Sequence, residues 1–324
     1  MKVLVTGGSG FVGSTLIATL AAQGFGVRAT HRRANPPPVP GVEWHPLPSL
    51  DEERPLNQAV AGCDAVIHLA GLAHHPQLVA IDSPLLHRVN AEGTRLLARA
   101  AAQGGVRRFI FVSSIAAVCT RNDTPVDDST PCAPTDAYGR SKLQAEHAVE
   151  AECAAHDTDW CVLRPPLVYG PGNPGNMRRL LQLIDTGLPL PFASIDNRRS
   201  FLFVDNFVDA MLCVLRHALA VRSTYVVSDG GDFSTPGLVR ALAAASGRPA
   251  RLFALPIWTL TALGRAGSAL QALLGRSPGV DAAMVDRLVG SLSIDAARFA
   301  RVFGWQPPIS PPQALARLGA GFRP

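Results

Sequence analysis

Lysine is almost absent from this chain of 324 residues. Lys2 and Lys142 are the only two among 30 basic side chains, and arginine supplies the rest. A lysine inside such a sequence invites a chemical reason. Tyrosine is nearly as scarce, with three residues. No Lys/Arg-rich run interleaved with aromatics occurs, which argues against nucleic acid as a partner. The net charge of +5 is modest and suits an anionic small molecule. The six cysteines, Cys63, Cys119, Cys132, Cys153, Cys161 and Cys213, form no C-x-x-C and have no histidines at zinc spacing. No metal site is therefore expected, and the cysteines read as small apolar residues of a reducing compartment. No uninterrupted apolar span of ~18 residues exists, which argues against a transmembrane helix. Met1 and Lys2 run straight into a strand with no signal peptide in view, so a cytoplasmic location is expected. What is present is a globular composition, 47% apolar and 17% charged. It is long enough for one large domain or two coupled smaller ones.

Residues 2–6 form an apolar run that predicts a buried strand. A glycine-rich turn follows, then a helix over 11–22 and a second strand over 27–30. Residues 35–48 are rich in proline and predict an irregular connection. Buried strands are expected at 65–70, 109–113 and 160–164, with helices over 84–103 and from Tyr138 to about His156. Short apolar strands alternating with helices predict an α/β fold with a doubly wound parallel sheet. Residues 170–200 are looser, with many Gly, Pro and Asn. A helix at 205–217 and a strand at 225–228 follow, and 236–324 read as helical and loop-rich. Residues 255–275 are apolar but include Trp258 and Arg265. They predict a helix packed on a small lobe, with weak contact to a membrane surface as the alternative.

Gly7, Gly10 and Gly13 stand at G-x-x-G-x-x-G spacing between the first strand and the first helix. Gly7 permits the tight exit, Gly10 lets backbone approach a pyrophosphate, and Gly13 lets the helix pack on the sheet. Phe11 and Val12 open that helix, whose free N–H groups and positive end attract an anion. The position points to a dinucleotide. The second strand ends in Arg28-Ala29-Thr30-His31-Arg32-Arg33, with no Asp or Glu to hold ribose hydroxyls. Arg32 and Arg33 are candidates for a 2′-phosphate, which favours NADP over NAD; a solvated basic loop is the plainer reading.

Tyr138 and Lys142 lie four residues apart on one helix face. Asp136 or Thr135 can cap that helix. A neighbouring ammonium and an oxidised nicotinamide both favour phenolate, so the Tyr138 pKa is expected to fall. Ser113 and Ser114 end the preceding strand, on the side where parallel sheets gather ligands.

TGGSGFVG, HLAG, Asn90 in NAEGT, VSS, YGRSK and RPPLVYGPG resemble the extended short-chain dehydrogenase/reductases, the sugar-nucleotide epimerase/dehydratase family. The resemblance implies a Rossmann domain over 1–170, rejoined by 200–230, and a smaller C-terminal substrate-binding lobe from 171–199 and 231–324. It implies a catalytic triad of Ser114, Tyr138 and Lys142, with Ser113 as the next candidate. Lys142 would also hold the nicotinamide ribose, while Leu69, Ala70, Asn90 and Pro165 would lie near the cofactor. Asn176, Arg199 and Arg287 would hold a nucleotide-diphosphate sugar.

The chain also departs from parts of the family. The 4-epimerases carry their catalytic hydroxyl one place later, where Ile115 stands. The 4,6-dehydratases carry an Asp-Glu pair where this chain has Ile115-Ala116 or Ala116-Ala117. RPPLVYGPG, LPLPFASIDNRRS and GSLSID look most like reductases of surface-polysaccharide synthesis, which act on UDP-4-keto-6-deoxy-N-acetylhexosamines. A UDP-sugar 4-epimerase, a non-sugar short-chain reductase and a cofactor-sensing binding protein are the alternatives. The family resemblance also implies a homodimer through the Tyr138 helix and its predecessor.

Overall fold

The computed structural model describes residues 1–32, 36–72, 83–173, 175–274 and 281–320. The first strand, β1 (Lys2–Thr6), is buried on both sides. Val3 and Val5 face one core and Leu4 the other, as the two-residue period of a strand requires. A parallel sheet covered on both faces needs apolar residues at every position, which is why these strands read as runs rather than alternations. Around β1 stand β2 (Gly26–His31), β3 (Val42–Pro46), β4 (Ala65–His68), β5 (Arg108–Val112), β6 (Asp159–Arg164) and β9 (Arg222–Val226). They form one parallel sheet in the order β3-β2-β1-β4-β5-β6-β9. This is the doubly wound Rossmann-type α/β fold that the alternating pattern predicts.

On one face, α1 (Phe11–Ala22) and α6 (Val204–Arg216) pack against Val3, Val5 and Ile67. Phe299 and Phe303 of α10 (Ala297–Phe303) complete that core. On the other face lie α2 (Glu53–Val60), α4 (Ala137–Ala154) and a continuous helix, α3. The latter runs through Ser83–Leu86, a wide π-type stretch His87–Glu92, and Gly93–Gln103. The strand order reverses between β1 and β4, which opens a crevice at their carboxyl ends.

One expectation is corrected. Residues 42–46 are a parallel edge strand, paired from Val27↔Val42 to His31↔Pro46, rather than an irregular connection. Trp44 packs edge-on to His31 and against the first core. The flanking prolines hid a strand that pairing with β2 completes.

A second, three-stranded sheet joins β7 (Leu167–Tyr169), β8 (Arg199–Phe203) and β10 (Asp232–Phe233), in the order β10-β8-β7. Tyr169, Phe201 and Phe203 centre a separate core beneath it. That core is covered by α5 (Asn176–Asp185), α7 (Thr235–Ala245), α8 (Ile257–Leu274), α9 (Ala282–Val289) and α11 (Pro311–Ala320).

Candidate active site

The glycine turn is shaped by close approach. Gly7 has φ +73°, and a Cβ there would lie 2.9 Å from the Ala70 nitrogen. A Cβ on Gly13 would lie 2.1 Å from the Gly7 carbonyl oxygen, so only hydrogen fits where α1 meets the turn. Gly10 caps α1 with no side-chain bond, which leaves the first-turn N–H groups at the crevice. Leu69 and Ala70 are held to β1 through Thr6: Leu69 N donates to its carbonyl and Ala70 N to its hydroxyl, each at 3.2 Å. The Phe11 ring approaches Gly170, and Val12 packs on the first core. Arg32 stands exposed at the end of β2, and Arg33 lies outside the described residues.

The catalytic candidates meet at the ends of β5 and α4. Asp136, rather than Thr135, caps α4, with Gly139 N donating to its Oδ1 at 2.6 Å. Thr135 instead pairs with Thr120 at 3.1 Å. Ser114 caps the single helical turn Ile115–Ala117, accepting from Ala116 N at 3.2 Å. Its hydroxyl also lies near enough to the Tyr138 phenol to favour the ionised form. Lys142 Nζ donates to the Val112 carbonyl at 2.7 Å and lies 4.2 Å above the Phe111 ring centre.

The expected fall in the Tyr138 pKa is reversed. Burial pushes the phenol up to about 12, although the Ser114 hydrogen bond pulls the other way. Burial pulls Lys142 down to about 7, with Glu146 opposing. Desolvation disfavours the charged form of both groups, and here it exceeds the attraction available to them.

The neighbouring side chains brace this pair. Ser113 and Ser114 part company: the Ser113 hydroxyl donates to buried Glu146. Glu146 also receives Arg164, whose Nη2 lies 2.5 Å from Oε2 and whose Nε lies 3.0 Å from Oε1. Ile115 N donates to the Pro165 carbonyl at 2.9 Å, closing the end of β6 onto the Ser114 turn. Asn90 sits in the π-type stretch of α3, a distortion common at functional sites. Its amide donates to the Leu72 carbonyl (3.1 Å) and to Ser141 Oγ (3.0 Å), and its Oδ1 accepts from Leu72 N (2.7 Å). Ser141 in turn donates to the Tyr138 carbonyl at 2.8 Å. Asn90 thus fastens the loop after β4 to the first turn of α4.

Several contributors went unread in the sequence. A Cβ on Gly139 would lie 2.2 Å from the Ala116 oxygen, so this glycine is what lets α4 dock on the Ser114 turn. Glu146 follows Lys142 by four residues, a spacing that places them on the same face and was legible. His68 is fully buried between Thr6 (2.6 Å) and Thr94 (2.9 Å). Burial, with Lys142 nearby, holds it down at about 3, so it is neutral.

Of the substrate candidates, Arg199 donates through Nη1 to the carbonyls of Arg287 (2.8 Å) and Gly290 (2.9 Å). Burial and the Arg287 charge both lower its pKa. The Arg199 guanidinium is thereby fixed to the backbone at the end of α9, with the Arg287 charge near it. Asn197 supports them, donating to Leu288 and Gly290 at the end of α9. Asn176 opens α5, and its side chain lies outside the described set.

The profile of the NAD dependent epimerase/dehydratase family matches residues 3–228. A Vibrio cholerae relative named UDP-glucose 4-epimerase is 35% identical, covering 99% of this chain and 95% of its own length. An Escherichia coli O157:H7 relative is named N-acetyl-alpha-D-glucosaminyl-diphospho-ditrans,octacis-undecaprenol 4-epimerase. It is 27% identical and covers 92% and 88% of the two chains. Among solved structures, the NAD complex of UDP-glucose 4-epimerase from Thermus thermophilus has a TM-score of 0.77. That match covers 100% of this chain and 99% of the other at 22% identity, and it speaks for the fold.

Proposed function

The chain belongs to the NAD-dependent epimerase/dehydratase family, and from that premise we propose that it moves a hydride at C4 of a sugar linked to a nucleoside diphosphate, with UDP-sugar 4-epimerisation as the net reaction. The observation that carries the reading is the meeting of Ser114 and Tyr138 beside a buried lysine, at the carboxyl ends of parallel strands. The residues fit a nicotinamide dinucleotide, because the space a Cβ would fill is closed at Gly7 and Gly13 and tight at Gly10, and α1 presents uncapped N–H groups. When bound, the nicotinamide accepts and returns the hydride. Gly7 to Gly13 hold the pyrophosphate, Leu69, Ala70 and Pro165 line the crevice, and Arg32 and Arg33 reach a 2′-phosphate where one is present.

Ser114 donates a hydrogen bond to the reacting sugar oxygen. Tyr138, with its pKa held high, gives that oxygen a proton as an alkoxide forms. In the opposite direction Tyr138 takes the proton back, which the positive charge of an oxidised nicotinamide would favour. Lys142 holds positive charge at Val112, within the same buried face. Arg199 and Arg287 clamp the diphosphate, and Asn176 is a further candidate for it, so that remote binding energy positions the sugar. Residues 171–199 and 231–324 serve as the substrate lobe.

A second reading is net reduction of a UDP-4-keto-6-deoxy-N-acetylhexosamine by NADPH or NADH. It is favoured by Ile115, a buried apolar residue at the place of the epimerases' hydroxyl, and by the lack of an acid at the end of β2.

The test incubates the protein with NAD and UDP-glucose or UDP-N-acetylglucosamine and follows C4 epimers by NMR. A parallel reaction with the 4-keto-6-deoxy sugar follows absorbance of reduced cofactor. Tyr138→Phe should keep cofactor binding and lower turnover ~10²-fold or more in whichever reaction occurs. Near-normal turnover in that variant removes Tyr138 as the acid. Epimerisation without net cofactor oxidation supports the first reading, and net oxidation transfers the assignment to the second.

A further inference from the structure

Among the described residues, helix α8 is covered on one side only. Leu260 and Gly264 face the C-terminal core, and a Cβ at Gly264 would lie 2.8 Å from Val285 of α9, the helix that carries Arg287. The opposite side exposes Trp258, Ala262, Arg265, Ala266 and Ala269, with Leu263 and Leu270 on one flank. Trp258 is 70% exposed and Leu263 59%. Scattered exposed leucines need no explanation, but a tryptophan with apolar neighbours along one helix face does. Phe253, four residues before the helix begins, is exposed as well.

Charge says what covers this face. Residues 233–280 contain five arginines and no Asp or Glu, so this stretch accounts for the whole net charge of +5. Arg265 lies on the exposed face and Arg251 at its edge. A second copy of the chain would set the same positive stretch against itself. A sheet of anionic headgroups complements it instead. An indole is suited to such an interface, where one side is apolar and the other wet. Among the described residues no helix is long and apolar enough to cross a membrane.

We propose that the outer face of α8, with Trp258 and Arg265 at its centre, docks in the plane of an anionic phospholipid bilayer. The docked face backs onto α9, so the lobe carrying Arg199 and Arg287 lies next to the lipid. This assignment is independent of the net reaction.

The test is flotation of the full-length protein with phosphatidylcholine vesicles, with and without phosphatidylglycerol, at low and raised salt. Retention is expected on the phosphatidylglycerol vesicles at low salt, with loss as salt rises. Arg265→Glu should lower partitioning about tenfold or more, and Trp258→Ser should lower it at both salts. Both positions are exposed, so melting temperature and turnover on a soluble substrate should stay unchanged. Absence of retention on anionic vesicles overturns the proposal. So does equal retention of the variants and the parent. A Trp258-dependent dimer without vesicle binding assigns the face to a protein contact instead.

Discussion

Gly139→Ala places one methyl group between the catalytic helix and the turn it docks on. The new Cβ would meet the Ala116 oxygen at 2.2 Å and both the Ala116 carbonyl carbon and Pro134 Cβ at 3.0 Å. Backbone oxygen cannot swing aside as a side chain does. The first turn of α4 must therefore withdraw by roughly 1 Å to restore ordinary contact. Tyr138 and Ser114 face each other across the same gap. A 1 Å misplacement of reacting groups costs about 10²-fold in rate. Overpacking costs roughly 1–3 kcal/mol, offset in part by the better helix propensity of alanine, ~1 kcal/mol. The variant should therefore stay folded, with a modestly lower melting temperature, while kcat/KM falls about 100-fold. The assay pairs steady-state turnover with thermal unfolding followed by circular dichroism. A variant with parental kcat/KM would refute the claim that this contact sets the spacing of Ser114 and Tyr138.

Burial holds Lys142 at about 7, whereas an exposed lysine titrates near ~10.4. Between those values the unfolded chain binds more protons, so the Lys142 contribution to stability rises with pH. Lys142→Met should abolish turnover. The stability of the parent relative to this variant should grow from about pH 6.5 to about 8.5, below most thiol ionisation. A difference that stays flat with pH in denaturant titrations contradicts the buried charge. Arg32→Ala combined with Arg33→Ala should weaken NADPH about tenfold more than NADH, measured by fluorescence titration. Equal losses for both cofactors reduce these arginines to surface charge.

The parts most legible in the sequence are those where local chemistry and fold coincide. Val3 to Val5 must be apolar at every position because β1 is covered on both faces, and that burial reads directly as a run. Gly7, Gly10 and Gly13 stand where strand, turn and helix approach too closely for side chains. Tyr138 and Lys142 share a face because the helical period puts them there. What escaped notice depends on partners distant in sequence. Val42–Pro46 becomes a strand only by pairing with β2, and its prolines resemble loop punctuation. The helix Asn176–Asp185 lies among glycines and prolines, and its apolar face is explained only by the second core. Ser113 and Ser114 are chemically identical in the sequence, and only the fold directs one to Glu146 and the other to Tyr138. The burial that raises the Tyr138 pKa is invisible in the sequence, where the spacing reveals only the nearby ammonium.

The central claim is hydride transfer at C4 of a nucleotide-linked sugar, with the proton handled by Tyr138. Its most direct test mixes the protein, cofactor reduced with deuterium at the nicotinamide C4, and a UDP-4-keto sugar, and locates the label by NMR. An epimerase resolving its keto form and a 4-keto reductase both carry out this step, so the measurement does not depend on which net reaction the protein performs. Deuterium should be found at sugar C4, at a rate lowered ~10²-fold or more in Tyr138→Phe. Absence of label from the sugar, label at another carbon, or an undiminished rate in the variant would contradict the account.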